Sequence, residues 1–353
     1  MTAPSSGPTP RAALPVGAAL LVLIAAVAVA VAAGGPGDTP RRISFGLWGD
    51  VPYARFNDST KIPALIADMN AADLAFTVFD GDIKDGGSRC TDDVFTAAAA
   101  MFNQLDAPTV YVPGDNEWTD CHRLSNGGYN NVERLEHLRR VMFSATDSFG
   151  ARRMPLEHQG LPGQAYVENT RWVMGDAVFV GLNVPGSNNN KVNSDAECTD
   201  GSARTPADCA ANNAEYAARS AADSAWLRQS FAAATGRNAR AVMIVMQGNP
   251  GFDLPETPDV NERNDPRVDG YTDLLHTLVD ETKAFAGQVV LVHGDTHFFR
   301  LDKPLVSQRD LLPNLTRLET FGSPNVDWVK VTADPKSRNY FTFEPMVVAA
   351  NHR

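Results

Sequence analysis

The stretch Phe76-Thr77-Val78-Phe79-Asp80-Gly81-Asp82-Ile83-Lys84-Asp85-Gly86-Gly87 passes from apolar to acidic within a few residues. Phe76 to Phe79, aromatic and β-branched throughout, reads as a short buried strand. The acids and glycines behind it are turn chemistry, and a glycine beside a carboxylate lets the chain bend sharply and aim the next side chain. Helical patterns stand on both sides: Thr60 to Ala71, with Pro63 in its first turn, and Asp92 to Gln104, started by Thr91. Strands alternating with helices predict an α/β domain.

Working outward, the same transition recurs. Ile43 to Leu47 runs into Trp48-Gly49-Asp50-Val51-Pro52-Tyr53, and Thr109 to Val112 into Pro113-Gly114-Asp115-Asn116-Glu117-Trp118. Ala241 to Met246 is followed by Gln247-Gly248-Asn249-Pro250, and Val289 to Val292 by His293-Gly294-Asp295-Thr296-His297. Open α/β sheets place their sites at the carboxyl ends of strands, so these segments would converge carboxylates, amides and imidazoles on one point. Carboxylates crowded in that way raise each other's pKa and call for a cation or shared protons. Helices at Asn131 to Phe143, Ala214 to Ala234 and Tyr271 to Phe285 complete the alternation. Gln164 to Glu168, Arg171 to Met174 and Ala177 to Leu182 read as consecutive antiparallel strands, which makes the sheet mixed; Asp327 to Thr332 and Tyr340 to Phe343 read as closing strands. The polar stretch Pro185 to Asn212 reads as a long surface excursion, and with the Phe252 to Gly270 loop it is a candidate specificity element.

The chain has 353 residues, 43% hydrophobic and 21% charged, a globular composition. Its 31 Lys and Arg stand against 42 Asp and Glu, a net charge of −11. No nucleic-acid surface is evident, because a chain this acidic lacks the basic face that displaces counterions. An anion would have to be attracted by something other than net charge, and a bound metal is the obvious agent. Near the start, Arg11 precedes Leu14 to Ala33, a run without charge. It reads as an export signal, long enough for either a cleaved peptide ending near Ala30-Val31-Ala32 or a membrane anchor through residues 14–33. Residues 1–38 are thus signal or anchor plus a Gly/Pro linker, and residues 39–353 one domain outside the cytoplasm: secreted, periplasmic or membrane-anchored. The four cysteines of an exported chain predict two disulfides, with Cys90–Cys121 and Cys198–Cys209 the simplest of three pairings.

From Ser44 to about Phe299 the order and spacing of the motifs resemble the calcineurin-like metallophosphoesterases, whose pattern is D-x-H, G-D-x-x-D, G-N-H-[DE], a lone His after a strand, and G-H-x-H. Gly81-Asp82-Ile83-Lys84-Asp85 matches in full. The resemblance implies a four-layer α/β/β/α sandwich with mixed sheets, one or two divalent metal ions, and hydrolysis of phosphate mono- or diesters by metal-bound hydroxide. Asp82 falls on the aspartate that bridges two metals, Asp50 on the first-motif aspartate and His297 on the last histidine. Pro52 replaces the first-motif histidine, and Asp295 the first histidine of the last motif. Gln247 replaces the lone histidine, with Asn249 as an alternative ligand. Without a gap Asp115 takes the asparagine ligand position and puts Asn116 at the catalytic histidine; shifted by one, Asn116 is the ligand. The metal ligands implied are therefore Asp50, Asp82, Asp115, Asn116, Gln247, Asp295 and His297. Oxygen donors in place of imidazole favour Mn, Mg or Ca over Zn or Fe. Asn116 cannot titrate, so Glu117, His122 and His293 are the candidates for the missing proton donor, and His293 could equally be a ligand or an outer hydrogen bonder. Lys84 and Arg89 are either substrate-facing or solvated, and Trp48 and Trp118 either stack on a leaving group or belong to the core. The partner expected is a phosphate ester. The rival reading is a non-catalytic cell-surface binding protein with a degenerate metal site, and a glycoside hydrolase with paired carboxylates is a third.

Overall fold

A computed structural model of the chain describes Met1 and residues 41–252, 265–304 and 311–352. The export segment at residues 14–33 and the middle of the Phe252 to Gly270 loop, residues 253–264, lie outside the described residues. Among the described residues no helix is long and apolar enough to cross a membrane.

Short strands rich in Val, Phe, Leu and Ile build two sheets. In the first, β1 (Ile43–Trp48), β2 (Thr77–Phe79) and β3 (Thr109–Tyr111) are parallel, while β11 (Trp328–Ala333) is antiparallel to both β1 and β12 (Phe341–Met346). Its strand order is β12-β11-β1-β2-β3. The second sheet has a parallel centre of β6 (Ala177–Gly181), β7 (Ala241–Val245), β8 (Gln288–His293) and β10 (Leu315–Glu319). Antiparallel strands flank it: β5 (Thr170–Met174) and β4 (Glu157–His158) on one side, β9 (Arg300–Asp302) on the other. Its order is β4-β5-β6-β7-β8-β10-β9.

The period-2 alternation of the strands sorts their side chains into three apolar layers. Phe45, Leu47, Val78 and Val110 of the first sheet meet Phe179, Met243, Val245 and Val290 of the second between the sheets. On the outer face of the first sheet, Trp48 and Phe79 pack on Leu65 of α1 (Ile62–Asn70), Phe95 of α2 (Asp92–Phe102) and Leu135 of α3 (Asn131–Met142). On the outer face of the second, Val180, Val242 and Ile244 pack on Trp226 and Leu227 of the long helix Pro206–Gly236 and on Leu275 and Leu278 of the helix Thr272–Ala284. The fold is therefore a four-layer α/β/β/α sandwich with mixed sheets. Both disulfides form the local pairs, Cys90–Cys121 and Cys198–Cys209.

Three sequence expectations are corrected. Gln164 to Glu168 is not a strand: the chain turns at Gly163 and Tyr166, which have φ of 71° and 64°. Glu168 is committed there to a buried ion pair with Arg139. Pro185 to Asn212 is a surface excursion only in its second part: Asn188, Asn189 and Asn190 are buried, whereas most of residues 193–211 are exposed. The helix expected from Ala214 begins at Pro206 because Thr205 and Asp208 form a capping box before it.

Candidate functional site

The five polar segments, four of them bearing acids, follow β1, β2, β3, β7 and β8, so the parallel strands of both sheets deliver them to one rim. The loops are closed by glycines that leave no room for a side chain. A Cβ on Gly114 would stand 2.2 Å from Asp82 Oδ1, and one on Gly294 would stand 2.0 Å from Asp50 Oδ2. Four of the candidate ligands sit in the left-handed backbone region: Asp50, Asp82, Asp295 and His297, at φ of 51°, 63°, 74° and 66°. For non-glycine residues such conformations cost on the order of 1–3 kcal/mol each and collect at functional sites.

Asp50 is fully buried; its carboxylate accepts the Asp295 backbone N–H at 3.2 Å and lies 3.5 Å from His297 Nε2. His297 Nδ1 lies 2.7 Å from the Ser323 carbonyl, which fixes the tautomer and turns Nε2 towards the acids. Asp82 Oδ2 accepts Tyr53 Oη at 2.8 Å, Asp82 Oδ1 accepts the Asn116 backbone N–H at 3.0 Å, and Asn116 Nδ2 donates to both Asp82 Oδ2 and Tyr53 Oη. Tyr53 Oη also lies 3.3 Å from His297 Nε2. Beside this group, Gln247 Nε2 donates to Asp115 Oδ1 at 3.2 Å, Ser187 Oγ donates to Asp115 Oδ2 at 2.8 Å, and Asn249 N donates to Asp295 Oδ2 at 3.0 Å. Asp115 Oδ2 and Asp295 Oδ1 close on Gly186, where a Cβ would stand 2.7 and 2.8 Å from them. Asp115 and Asn116 thus both face the cluster, the first towards Gln247 and the second towards Asp82. The Asn249 side chain turns its own loop by accepting from Gly251 and Phe252.

The electrostatics follow from burial and like charge. Burial, then Asp115 and Asp50, push the Asp82 carboxyl well above the usual carboxylate range. Burial and then Asp115 do the same to Asp295, and burial and then Asp50 to Asp80. Burial alone would lower the His297 pKa, but its contact with Asp50 overrides this and lifts it to about 9. The Tyr53 hydroxyl is held well above its ordinary value by burial and by Asp82. Among the described residues no three of His, Cys, Asp and Glu close into a ligating set, and hydrogen bonds from Tyr53, Asn116, Ser187 and Gln247 engage the carboxylates. As chemistry, the carboxylates and the one imidazole fit a hard divalent cation, while Asn116 and Gln247 turn their amide nitrogens to the acids.

The candidates for a proton donor have partners of their own. Glu117 Oε1 accepts from Gly114 N, Tyr111 Oη and Asp82 N, so it knits the loops after β2 and β3 together. His293 is buried with its ring facing the Gly294 carbonyl and Arg317. His122 Nδ1 meets Ser202 Oγ at 2.9 Å. Trp48 and Trp118 belong to the core, Arg89 is exposed, and Lys84 is buried with Nζ on the Asp85 carbonyl.

Sequence reasoning missed Tyr53 and the segment Ser187-Asn188-Asn189-Asn190. These four residues have φ from 49° to 66°, one turn of left-handed helix. Arg219, on the Pro206–Gly236 helix, holds it from inside, with Nη1 donating to Asn189 Oδ1 at 2.6 Å and Nη2 to the Asn189 carbonyl at 3.0 Å. Asn131 and Gly270 bind Asn190 and Asn188 from two other elements. The only sequence signal was the run of asparagines, the residue type that tolerates this conformation best after glycine.

No family model matches the chain, and no curated protein matches it. Solved structures are similar to it at low identity. A sulfate thiohydrolase, SoxB, of Termus thermophilus is 14% identical with a TM-score of 0.40, over 82% of this chain and 43% of its own. The purple acid phosphatase PPD1 of yellow lupin is 10% identical with a TM-score of 0.49, over 89% of this chain and 52% of its own. The protein TT1561 of Thermus thermophilus is 12% identical with a TM-score of 0.44, over 87% of this chain and 100% of its own. The chain thus spans less than half of the length of the first and about half of the second.

Proposed function

We propose that the chain is an exported, metal-dependent hydrolase of phosphate mono- or diesters. The observation that carries this reading is the meeting of Asp50, Asp82, Asp115 and Asp295 at strand ends from both sheets, where Asp82 and Asp295 find other carboxylates as their main charged neighbours. Such a group calls for a cation. Asp50, Asp82, Asp115, Asp295 and His297 are the side chains that would hold the metal, as one ion or two. Bound there, a divalent ion supplies Lewis-acid polarisation of a phosphoryl oxygen and activation of water at neutral pH.

The chain's own residues supply orientation. The Ser323 carbonyl presents His297 through Nε2, Asn116 directs its amide hydrogens at Asp82 and Tyr53, and Ser187 and Gln247 hold the two oxygens of Asp115. Asn116 carries no titratable proton, so it orients rather than protonates. The uncharged run at residues 14–33 and the two disulfides support an oxidising, exported setting.

The test is hydrolysis of p-nitrophenyl phosphate and bis-p-nitrophenyl phosphate in Mn or Mg, with Asp82→Ala as control. Turnover above that control on either ester is expected. Its absence on both overturns the enzyme and leaves a binding protein. Stoichiometric zinc or iron without manganese, in protein purified free of chelator, would refute the preference for hard ions.

A further inference from the structure

Beside the acid cluster a cavity of about 440 Å3 is walled by Arg123, Lys191, Arg204 and Arg267, with His122 and Ser187 between them. In a chain with net charge −11 this is a local concentration of cations. Three acids share the wall, Asp120, Glu197 and Asp200. Asp120 is committed to Arg123 at 2.7 Å, and Glu197 Oε2 accepts the Asn193 N–H at 2.8 Å. Lys191 and Arg267 are held by Asp269 and Asp265, which fixes where their heads point. Arg204 differs: Nε and Nη2 donate to the carbonyls of Cys198 and Glu197, and no described carboxylate pairs with it. Its positive charge is therefore not neutralised by an ion pair. His122, on the same wall, reports the field: burial, then Arg204 and Arg123, depress its pKa to about 3, so it adds no charge of its own at neutral pH.

The cavity joins the acid cluster through one side chain. Ser187 Oγ donates to Asp115 Oδ2 at 2.8 Å and accepts from Arg123 Nη2 at 3.3 Å. Arg123 also borders the loop after β2, since a Cβ on Gly86 would stand 3.5 Å from its Nη1 and 2.9 Å from Asn116 Oδ1. Guanidinium forks match phosphoryl oxygens in geometry as well as in charge.

We propose that this pocket receives a second phosphoryl group of the substrate, beside the one that is cleaved. The inference rests on the phosphoesterase reading and narrows its substrate class to small molecules that carry two phosphoryl groups. The disulfide-closed segment Cys198–Cys209 is then a specificity element, because it carries Arg204.

Two measurements test it. In chelator, where no metal can hold the ligand, inorganic pyrophosphate is titrated calorimetrically into the full chain, into Arg204→Met and into Arg267→Gln. Binding is expected to weaken at least tenfold in Arg204→Met and less in Arg267→Gln. The latter side chain is 87% exposed and keeps the test intact if Arg204→Met fails to fold. In Mn, phosphate release from butane-1,4-diol bisphosphate is compared with release from butyl phosphate, esters that differ in the second phosphoryl group. The full chain is expected to prefer the bisphosphate at least tenfold in kcat/KM, with the ratio falling towards one in Arg204→Met. Equal pyrophosphate binding in all three proteins overturns the pocket, whatever the turnover. Arginine-dependent binding with no preference for the bisphosphate overturns the substrate assignment and leaves a site for free phosphate. Turnover of neither ester overturns the phosphoesterase reading, while the titration still decides the pocket.

Discussion

Replacing Arg219 by methionine tests whether the left-handed turn at the site is imposed by the core. The side chain is fully buried, with its guanidinium over the Trp118 ring. It donates to the Asn183 carbonyl at 2.7 Å and to both oxygens of Asn189, and it pairs with Glu215 at 2.6 Å and with Asp223 at 3.5 Å. Methionine keeps most of the apolar volume and removes all of these partners. Removing one member of a buried ion pair costs about 3–5 kcal/mol, because the other charge is left unpaired. The turn can then relax some of its strain, about 1–3 kcal/mol for each left-handed residue, but relaxation moves Ser187 away from Asp115. At about 2–4 °C per kcal/mol for a large domain, the melting midpoint should fall by on the order of 10 °C. Phosphoesterase activity, assayed well below the new midpoint, should fall about 100-fold, the usual cost of a displacement near 1 Å. Differential scanning calorimetry at pH 7 measures the first effect, with Arg228→Met on the exposed face of the same helix as control. A midpoint within about 2 °C of the unaltered chain would show that the turn holds itself and that Arg219 is not its anchor.

Manganese in excess of its dissociation constant by about 100-fold should stabilise the unaltered chain by about 2.7 kcal/mol and Asp82→Ala by much less, read as thermal midpoints; equal shifts would place the ion elsewhere. Gly186→Ala should abolish turnover in the p-nitrophenyl phosphate assay, since the new Cβ would lie 2.7 Å from Asp115 Oδ2 and 2.8 Å from Asp295 Oδ1. Burial raises the Asp223 pKa from 3.8 to about 7 despite Arg219. The folded state therefore keeps a proton that the unfolded state has released, and stability falls as pH rises from about 4 to about 7, by about 4 kcal/mol in all. Urea midpoints of Asp223→Asn should rise relative to the unaltered chain across that window, and a parallel pair of pH profiles would contradict the assignment. Removing Cys90–Cys121, which closes 31 residues, should cost about 4 kcal/mol against about 3 kcal/mol for Cys198–Cys209, which closes 11, by thermal denaturation of the paired Cys→Ala variants.

What the sequence shows of this protein depends on whether residue identity or backbone conformation carries the information. The strands that become β1, β3, β7 and β8 are legible because apolar runs end abruptly in Gly-Asp, Gln-Gly or His-Gly, and that change in composition needs no knowledge of the partners. β10 is illegible for the opposite reason. Leu315-Thr316-Arg317-Leu318-Glu319 carries two charged residues that the fold buries between β8 and β9, with Arg317 satisfied by Asp302. Only the tertiary neighbour makes those charges tolerable. Gln164 to Glu168 fails likewise, because Glu168 pairs with Arg139, which is far from it in sequence and adjacent in space.

The same distinction runs through the site. Asp50, Asp82, Asp115, Asp295 and His297 are read from position, since each follows a strand end by two to four residues and the parallel strands do the gathering. Tyr53 is not found, because its hydroxyl reaches Asp82 only after the chain has left β1 through Asp50 in the left-handed region. Nor is Ser187, since its hydroxyl reaches Asp115 only while Arg219 and Gly270 hold the asparagines next to it in a conformation they would not keep alone. A motif can name the residues that bring charge to such a site. The residues that aim those charges are chosen by strain, and strain is a property of the folded chain as a whole: Arg219, 32 residues beyond Ser187 in sequence, has as strong a claim on the geometry at Asp115 as the motif that contains Asp115 itself.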